Sequence, residues 1–129
     1  MNSYLFLLGR LLYGGYFVVA GFNHFKNLGA MTEYSKYKKI PAPKLAVLVS
    51  GLLILLGGLG ILLGVYVRIA IVFITIFLVI VTPSMHNFWA IQDPQMRMNE
   101  RINFGKNVAL LGAVLMFLML SMPWMAHAF

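Results

Sequence analysis

Four long apolar runs fill most of this 129-residue sequence, and they constrain its fold more than any other feature. Each run is long enough to cross about 30 Å of hydrocarbon at about 1.5 Å per helical residue. We therefore predict an all-α, polytopic membrane protein in which one domain, residues 1–129, forms a bundle of four transmembrane helices. The helices are expected at about residues 4–25, 43–64, 68–89 and 103–122.

The composition supports this class and excludes others. Hydrophobic residues make up 61% of the chain and charged residues 10%, with a mean hydropathy of +0.87, which soluble domains do not show. There is no cysteine, so the chain forms no disulfide and holds no iron–sulfur cluster alone. The net charge of +7 sits beside apolar runs, so we expect contact with anionic membrane lipids and none with nucleic acid.

The end of the third run, residues 82–89, carries polar groups at a depth where a lipid-facing helix would carry Leu or Val. Lipid offers polar groups no partner. Pro83 leaves the carbonyl of Val79 without its helical donor, close to His86. Asn87 and Trp89 also suit an ordinary helix end at the headgroups, where amides and indoles are common. His86 lies deeper and is the stronger candidate for a functional side chain.

Helices that alternate in direction bring the ends of helices 1 and 3 to the same side as the beginnings of helices 2 and 4. That side collects Asn23, His24, Lys26, Pro83, His86, Asn87, Trp89, Glu100, Asn103, Lys106 and Asn107. Arg10 and Arg68 fall on the opposite side. Arg10 either snorkels to headgroups or faces the bundle and binds an anionic group.

Charge counting predicts the orientation. Eight of the ten bases flank the polar side: Lys26, Lys36, Lys38, Lys39, Lys44, Arg97, Arg101 and Lys106. The positive-inside rule then makes the first and third loops, residues 27–42 and 90–102, cytoplasmic, with both termini external. The first helix is expected to stay uncleaved, because Arg10 interrupts its apolar run and no basic segment precedes it.

Two further patterns are better explained by packing than by ligands. The glycines Gly57, Gly58, Gly60 and Gly64 form a small surface for close helix contact, as do Gly14, Gly15 and Gly21. The methionines from Met116 to Met125, with His127, match the donors that Cu(I) prefers, but methionine at helical spacing usually packs. We predict no metal site.

Several short motifs together resemble the DoxX family. They are Gly9-Arg10, Gly14-Gly15, Ala20-Gly21, His24-Phe25-Lys26, Ser50-Gly51, Leu56-Gly57-Gly58, His86-Asn87-Phe88-Trp89 and Phe104-Gly105-Lys106-Asn107. The resemblance implies a small four-helix prokaryotic protein of the inner or cell membrane. It also implies membrane redox work with quinones or with soluble redox enzymes, and it supplies no agreed catalytic residues.

The leading hypothesis is a component of a membrane redox system that binds a quinone-like or other small ligand at the cytoplasmic mouth. His86 and Lys106 are the candidate catalytic groups, since both can hydrogen-bond or protonate a carbonyl oxygen. The candidate ligand-binding residues are Asn23, His24, Trp89, Asn103, Asn107, Arg10 and Arg68. Electrons would come from a bound cofactor or a partner enzyme, and a b-type haem between His24 and His86 is one such cofactor.

Two alternatives stay open. A non-catalytic adaptor would recruit a soluble redox enzyme through its basic loops. A lipid or sterol pocket ranks lower, because its chemistry usually needs a buried carboxylate, whereas Glu33, Asp93 and Glu100 are all expected in loops. Whether several copies form a homo-oligomer also stays open.

Overall fold

The protein is all-helical in a computed structural model that describes residues 3–124. Its α-helices are α1 (Ser3–Lys26), α2 (Leu28–Tyr37), α3 (Pro43–Leu63), α4 (Val67–Met85) and α5 (Pro94–Phe117), with a short 3-10 helix at Phe88–Ala90. No strand occurs among these residues. The prediction of an all-α fold is confirmed, and the count of four helices is corrected to five α-helices in the described range.

Three stretches are long and apolar enough to cross a membrane: Ser3–Lys26, Pro43–Leu63 and Val67–Ala90. They correspond to the first three predicted spans. The α5 helix is not among them, because its 24 residues include the charged side chains of Arg97, Glu100, Arg101 and Lys106. A membrane protein with apolar helices is thus confirmed, while the fourth span stays a prediction.

The first loop, predicted without helix at residues 27–42, contains α2. Its buried side is formed by Met31, Tyr34 and Ser35, which recur at helical spacing, while Glu33 and Lys36 are exposed. The buried side packs mainly against α3. The helix is only ten residues long, so its stability comes from this packing rather than from the segment itself.

The α5 helix begins at Pro94 rather than near residue 103, so most of the predicted second connection is helical. The Asp93 side chain caps the helix by accepting a hydrogen bond of 2.9 Å from the Met96 amide, and Pro94 occupies the first turn. Together these two residues explain why α5 begins nine residues earlier than predicted.

The same helix ends at Phe117, five residues before the predicted end. The chain then folds back over the bundle, and Trp124 is 1% exposed between the rings of Phe6 and Phe117, at centroid distances of 5.1 and 5.6 Å. Of the methionine-rich pattern, Met125 and His127 lie outside the described residues.

Glycine contacts hold α3 at the centre of the bundle, between α1 and α4. A β-carbon on Gly14 would lie 2.7 Å from the Gly58 carbonyl oxygen, and one on Gly58 would lie 2.8 Å from the Gly14 carbonyl oxygen. On the other side of α3, a β-carbon on Gly60 would lie 2.6 Å from Cβ of Ala70 in α4. The predicted small-residue packing surfaces are therefore confirmed.

Candidate functional site

A cavity of about 540 Å³ lies between α2, α3 and α4, near the ends of α1 and α4. Most of its lining is aliphatic or aromatic. The polar residues of the lining are His24, Tyr34, Ser35, Ser50, Ser84 and His86. A mainly apolar cavity of this size with a few convergent polar groups is typical of small-molecule sites.

The cavity opens sideways between α3 and α4. Val49 from α3 and Ile80 from α4 both line it, yet they are 51% and 59% exposed, so they form the rim of an opening. Both belong to the apolar stretches that are long enough to span a membrane. The rim of the cavity is therefore apolar.

His24 reaches the cavity from the last turns of α1. Its Nδ1 lies 2.8 Å from the Ala20 carbonyl oxygen, one helical turn earlier. A carbonyl accepts and never donates, so Nδ1 carries the hydrogen of this contact. The imidazole also meets the Phe77 ring edge-on at 6.1 Å and rests against Gly51. The ring is thus held by its backbone bond and by packing on two sides.

His86 reaches the cavity from the end of α4, where its amide still donates to the Thr82 carbonyl at 3.1 Å. Its Nδ1 lies 2.5 Å from Oε2 of Glu100, and the Tyr34 hydroxyl donates to the other carboxylate oxygen at 3.1 Å. Glu100 is 8% exposed on α5, so its predicted loop position is wrong. The histidine and the buried carboxylate form a dyad at the edge of the cavity, where His86 belongs to the lining and Glu100 lies behind it.

The Tyr34 hydroxyl remains a donor at any physiological pH. Burial, followed by the negative charge of Glu100 and the hydrogen bond to it, raises the pKa of Tyr34 to about 12. Beside it, Lys38 lies 5.6 Å from the Tyr34 ring centroid and donates to Oδ1 of Asn87 at 2.7 Å. These contacts fasten α2 over the cavity by one link to α5 and one to the segment after α4.

Of the nine site residues predicted from the sequence, His24 and His86 line the same cavity. The others lie outside its lining: Asn23, Trp89, Asn103, Lys106, Asn107, Arg10 and Arg68.

On the polar side of the bundle, three of these residues point away from the cavity. Asn23 is exposed and pairs with the Asn27 amide. Trp89 is 55% exposed and packs edge-on against Phe88 and Phe104. Lys106 is exposed, with Nζ 5.5 Å above the Tyr16 ring of α1.

Asn103 and Asn107 share the inner face of α5 with Glu100, from which they are spaced by three and seven residues. Asn103 is half-buried and Asn107 is 6% exposed. This face packs on α4 and is separate from the cavity lining. Glu100 is the member of the series that reaches His86.

Arg10 is buried at the opposite end of the bundle and binds the protein's own backbone. Its guanidinium donates to the carbonyls of Ile61 at 3.3 Å, Leu62 at 3.0 Å and Trp124 at 3.5 Å. The first two are among the free carbonyls at the end of α3, where a cation also suits the helix dipole. These contacts explain its burial without a ligand, and Arg68 is exposed in the first turn of α4.

Sequence reasoning missed Tyr34, Ser50 and Ser84 as cavity residues. Tyr34 was overlooked because a helix was not expected in the first loop. The spacing of Glu100, Asn107 and Val114, all buried on α5, is a heptad that would have shown Glu100 on an inward helical face.

A family model described as DoxX matches residues 5–87, which include His24, Tyr34, Ser50, Ser84 and His86. The match stops before Glu100 and before the Phe104–Asn107 motif that contributed to the resemblance. No curated protein and no solved structure matches the sequence.

Proposed function

This chain belongs to the DoxX family, and we propose that it is a component of a membrane redox system whose cavity binds a quinone-like lipid. The observation that supports this proposal best is a cavity with an apolar rim, formed by Val49 and Ile80, and with two anchored imidazoles, His24 and His86, in its lining. The imidazoles and hydroxyls would orient a polar ring. The opening at Val49 and Ile80 would pass a hydrocarbon tail into the bilayer.

The ring would lie among apolar side chains. Phe77 and Leu53 line the cavity beside His24, and they offer the flat and aliphatic contacts that a substituted aromatic ring needs. The volume of about 540 Å³ lies within the range of small-molecule sites. A quinone or hydroquinone head with the first part of its tail fits the size of the cavity and the shape of its opening.

The electrons of a quinone couple would be exchanged with a partner. The chain has no cysteine, so it cannot carry them on a disulfide or an iron–sulfur cluster. A redox enzyme at the membrane surface would supply or remove two electrons. A haem held by His24 and His86 is the other predicted carrier, and an absorption spectrum of the purified protein decides this point, because a protein without a Soret band holds no haem.

For the topology we propose that α5 crosses the bilayer beside α4 as a fourth span. The dyad then lies at the cytoplasmic mouth, with eight of the ten bases on that side and both termini external. Exposed lysines such as Lys36, Lys39 and Lys44 would contact anionic headgroups there.

Calorimetric titration of the full-length protein in lipid nanodiscs with a short-tailed ubiquinone analogue, in both redox forms, tests the proposal. Saturable binding is expected for the wild type, and His86→Ala should weaken it at least ten-fold. Thr75→Val, within α4 but outside the cavity lining, should bind with wild-type affinity. No saturable binding of either form would overturn the proposal, and tight binding of a non-redox sterol instead would favour the lipid-pocket alternative.

The adaptor alternative is favoured by one observation: residues 92–99, including the first turns of α5, are all exposed. An exposed polar helix end with Arg97 could receive a soluble enzyme. Quinone reduction by membrane vesicles, from cells that lack the native chain and express each variant, separates the two functions. Loss of activity with Arg97→Glu but not with His86→Ala would favour the adaptor, and the reverse would favour the ligand site.

A further inference from the structure

The hydrogen bonds already made inside the cavity determine what a ligand must bring. In His24, Nδ1 uses its hydrogen on the Ala20 carbonyl. A second proton would put a charge in an apolar stretch where no carboxylate pairs with the ring, because the ion pairs of residues 3–124 are Lys36–Glu33 and His86–Glu100. Nε2 of His24 therefore presents a lone pair.

Three of the four hydroxyl groups in the lining also donate their hydrogens to protein acceptors. Ser50 donates to the Val47 carbonyl at 3.1 Å, and Ser84 donates to the Ile80 carbonyl at 2.7 Å. Tyr34 donates to Glu100. Each of these oxygens already donates its hydrogen within the protein, so it can only accept a hydrogen bond from a ligand.

The His86–Glu100 dyad adds the last acceptor. A carboxylate only accepts, so the hydrogen of this contact sits on Nδ1 of His86, and in the neutral ring Nε2 holds a lone pair. Of the six polar lining residues, Ser35 alone has a hydroxyl that donates to no acceptor within residues 3–124. Five acceptors thus face at most one donor.

From this imbalance we propose that the cavity selects the reduced, dihydroxy form of its ring ligand over the dicarbonyl form. This inference rests on the proposed function. A hydroquinone brings two O–H donors to a wall of acceptors, whereas a quinone brings only acceptors and would leave buried lone pairs facing one another.

The His86–Glu100 dyad can also accept a proton from a hydroxyl group of the ligand. The O–H bond of the ligand breaks, its proton forms an N–H bond with Nε2 of His86, and the electron pair stays on the ligand oxygen. The products are a hydroquinone anion and an imidazolium held by the Glu100 carboxylate, so no electron moves and no further reactant is needed. Glu100 acts as a positioning residue that stabilises the charged ring.

Three ligands of the same shape test the selection on the full chain in nanodiscs: a short-tailed ubiquinol kept reduced under argon, the matching ubiquinone, and the ubiquinol dimethyl ether. The ether keeps the ring and loses both donors. The ubiquinol is expected to bind at least ten-fold more tightly than the other two. By linkage, each ten-fold preference raises the midpoint potential of the bound couple by about 30 mV, which a redox titration measures independently.

Variants test whether the acceptors of the cavity lining cause the preference for the reduced ligand. His24→Gln can turn an amide N–H toward the ligand, so the ratio of the quinone to the quinol Kd should fall toward one, while Thr75→Val should keep the wild-type ratio. Equal or tighter binding of the quinone by the wild type would overturn this inference and leave the proposed function intact. Binding of none of the three ligands would overturn both.

Discussion

The side chain of His24 in α1 packs directly against Gly51 in α3. A β-carbon built on Gly51 would lie 2.6 Å from Cβ of His24, closer than two such atoms can approach, so the absence of a side chain in α3 fixes where α1 presents its imidazole. The contact involves the first carbon of the histidine rather than the tip of a flexible chain. Any side chain at position 51 must therefore move the backbone of α1 or α3.

Gly51→Ala should displace His24 and weaken ligand binding at least ten-fold, with a loss of stability of about 1–3 kcal/mol from overpacking. The control is Gly112→Ala on α5, where an added β-carbon meets nothing within 4 Å and helix propensity favours alanine by up to about 1 kcal/mol. Calorimetric titration and thermal unfolding followed by circular dichroism measure the two effects. Wild-type affinity in Gly51→Ala would show that the position of His24 does not matter for the ligand.

Two adjacent glycines on α1 should differ in how much an alanine substitution destabilises the protein. Gly14→Ala places a β-carbon 2.7 Å from backbone atoms of Gly58 and Leu62, and backbone cannot swing aside, so the loss should reach about 1–3 kcal/mol. Gly15→Ala meets only a methyl carbon of Leu62 at 3.9 Å and should be close to neutral. Thermal unfolding of the two variants in one detergent gives the comparison, and similar melting temperatures would contradict this description of the α1–α3 contact.

Removing the guanidinium of Arg10 should destabilise the bundle without abolishing ligand binding. Arg10→Ala leaves the carbonyls of Ile61 and Leu62 without their donor, and hydrogen bonds to a charged group contribute about 1.5–3 kcal/mol. Arg68→Ala, at the same end but exposed, should change stability by less than about 0.5 kcal/mol. A large loss of affinity in Arg10→Ala protein that is still folded would instead assign Arg10 to a ligand.

The Tyr34 hydroxyl should stabilise the fold in a pH-dependent manner. Its pKa is raised from the ordinary value near 10 to about 12, so the neutral form is favoured by folding. The stability difference between wild type and Tyr34→Phe, about 1.5 kcal/mol from a hydrogen bond to a carboxylate, should be constant from neutral pH up to about pH 10. It should shrink as the pH rises toward 12.

Thermal unfolding of both proteins across this range checks the prediction, since other titrating groups are common to the pair and cancel. A difference that already falls between pH 6 and 9 would mean that a group other than Tyr34 controls the contact with Glu100.

The proposed orientation can be read from single cysteines, because the chain has none of its own. Tyr66→Cys lies between α3 and α4 at a position 82% exposed, and Gln95→Cys is exposed at the start of α5, at the other end of the bundle. A membrane-impermeant maleimide should label Tyr66→Cys in intact cells. It should label Gln95→Cys only after permeabilisation, and the opposite pattern would invert the topology.

Local properties of the sequence were enough to predict that this is an all-helical membrane protein. Three runs of apolar residues require helices in a membrane, because only a helix satisfies its own backbone in lipid. The glycines of α1 and α3 indicated close packing for the same local reason, since a helix surface without side chains allows a second backbone to approach. Motifs spread along the chain identified the DoxX family.

The tertiary structure alone decided which polar residues meet. Neighbours in the sequence share a depth but point about 100° apart around a helix axis, so His24 lines the cavity while Asn23 is exposed, and Asn107 is buried while Lys106 is not. The packing of α2 onto α3 and the early start of α5 bring Tyr34 and Glu100 to His86. The position of a residue along its helix follows from counting residues in the sequence. The side of the helix that faces the bundle follows from how the helices rotate to bury their glycines, and this rotation decides which side chains meet in a site.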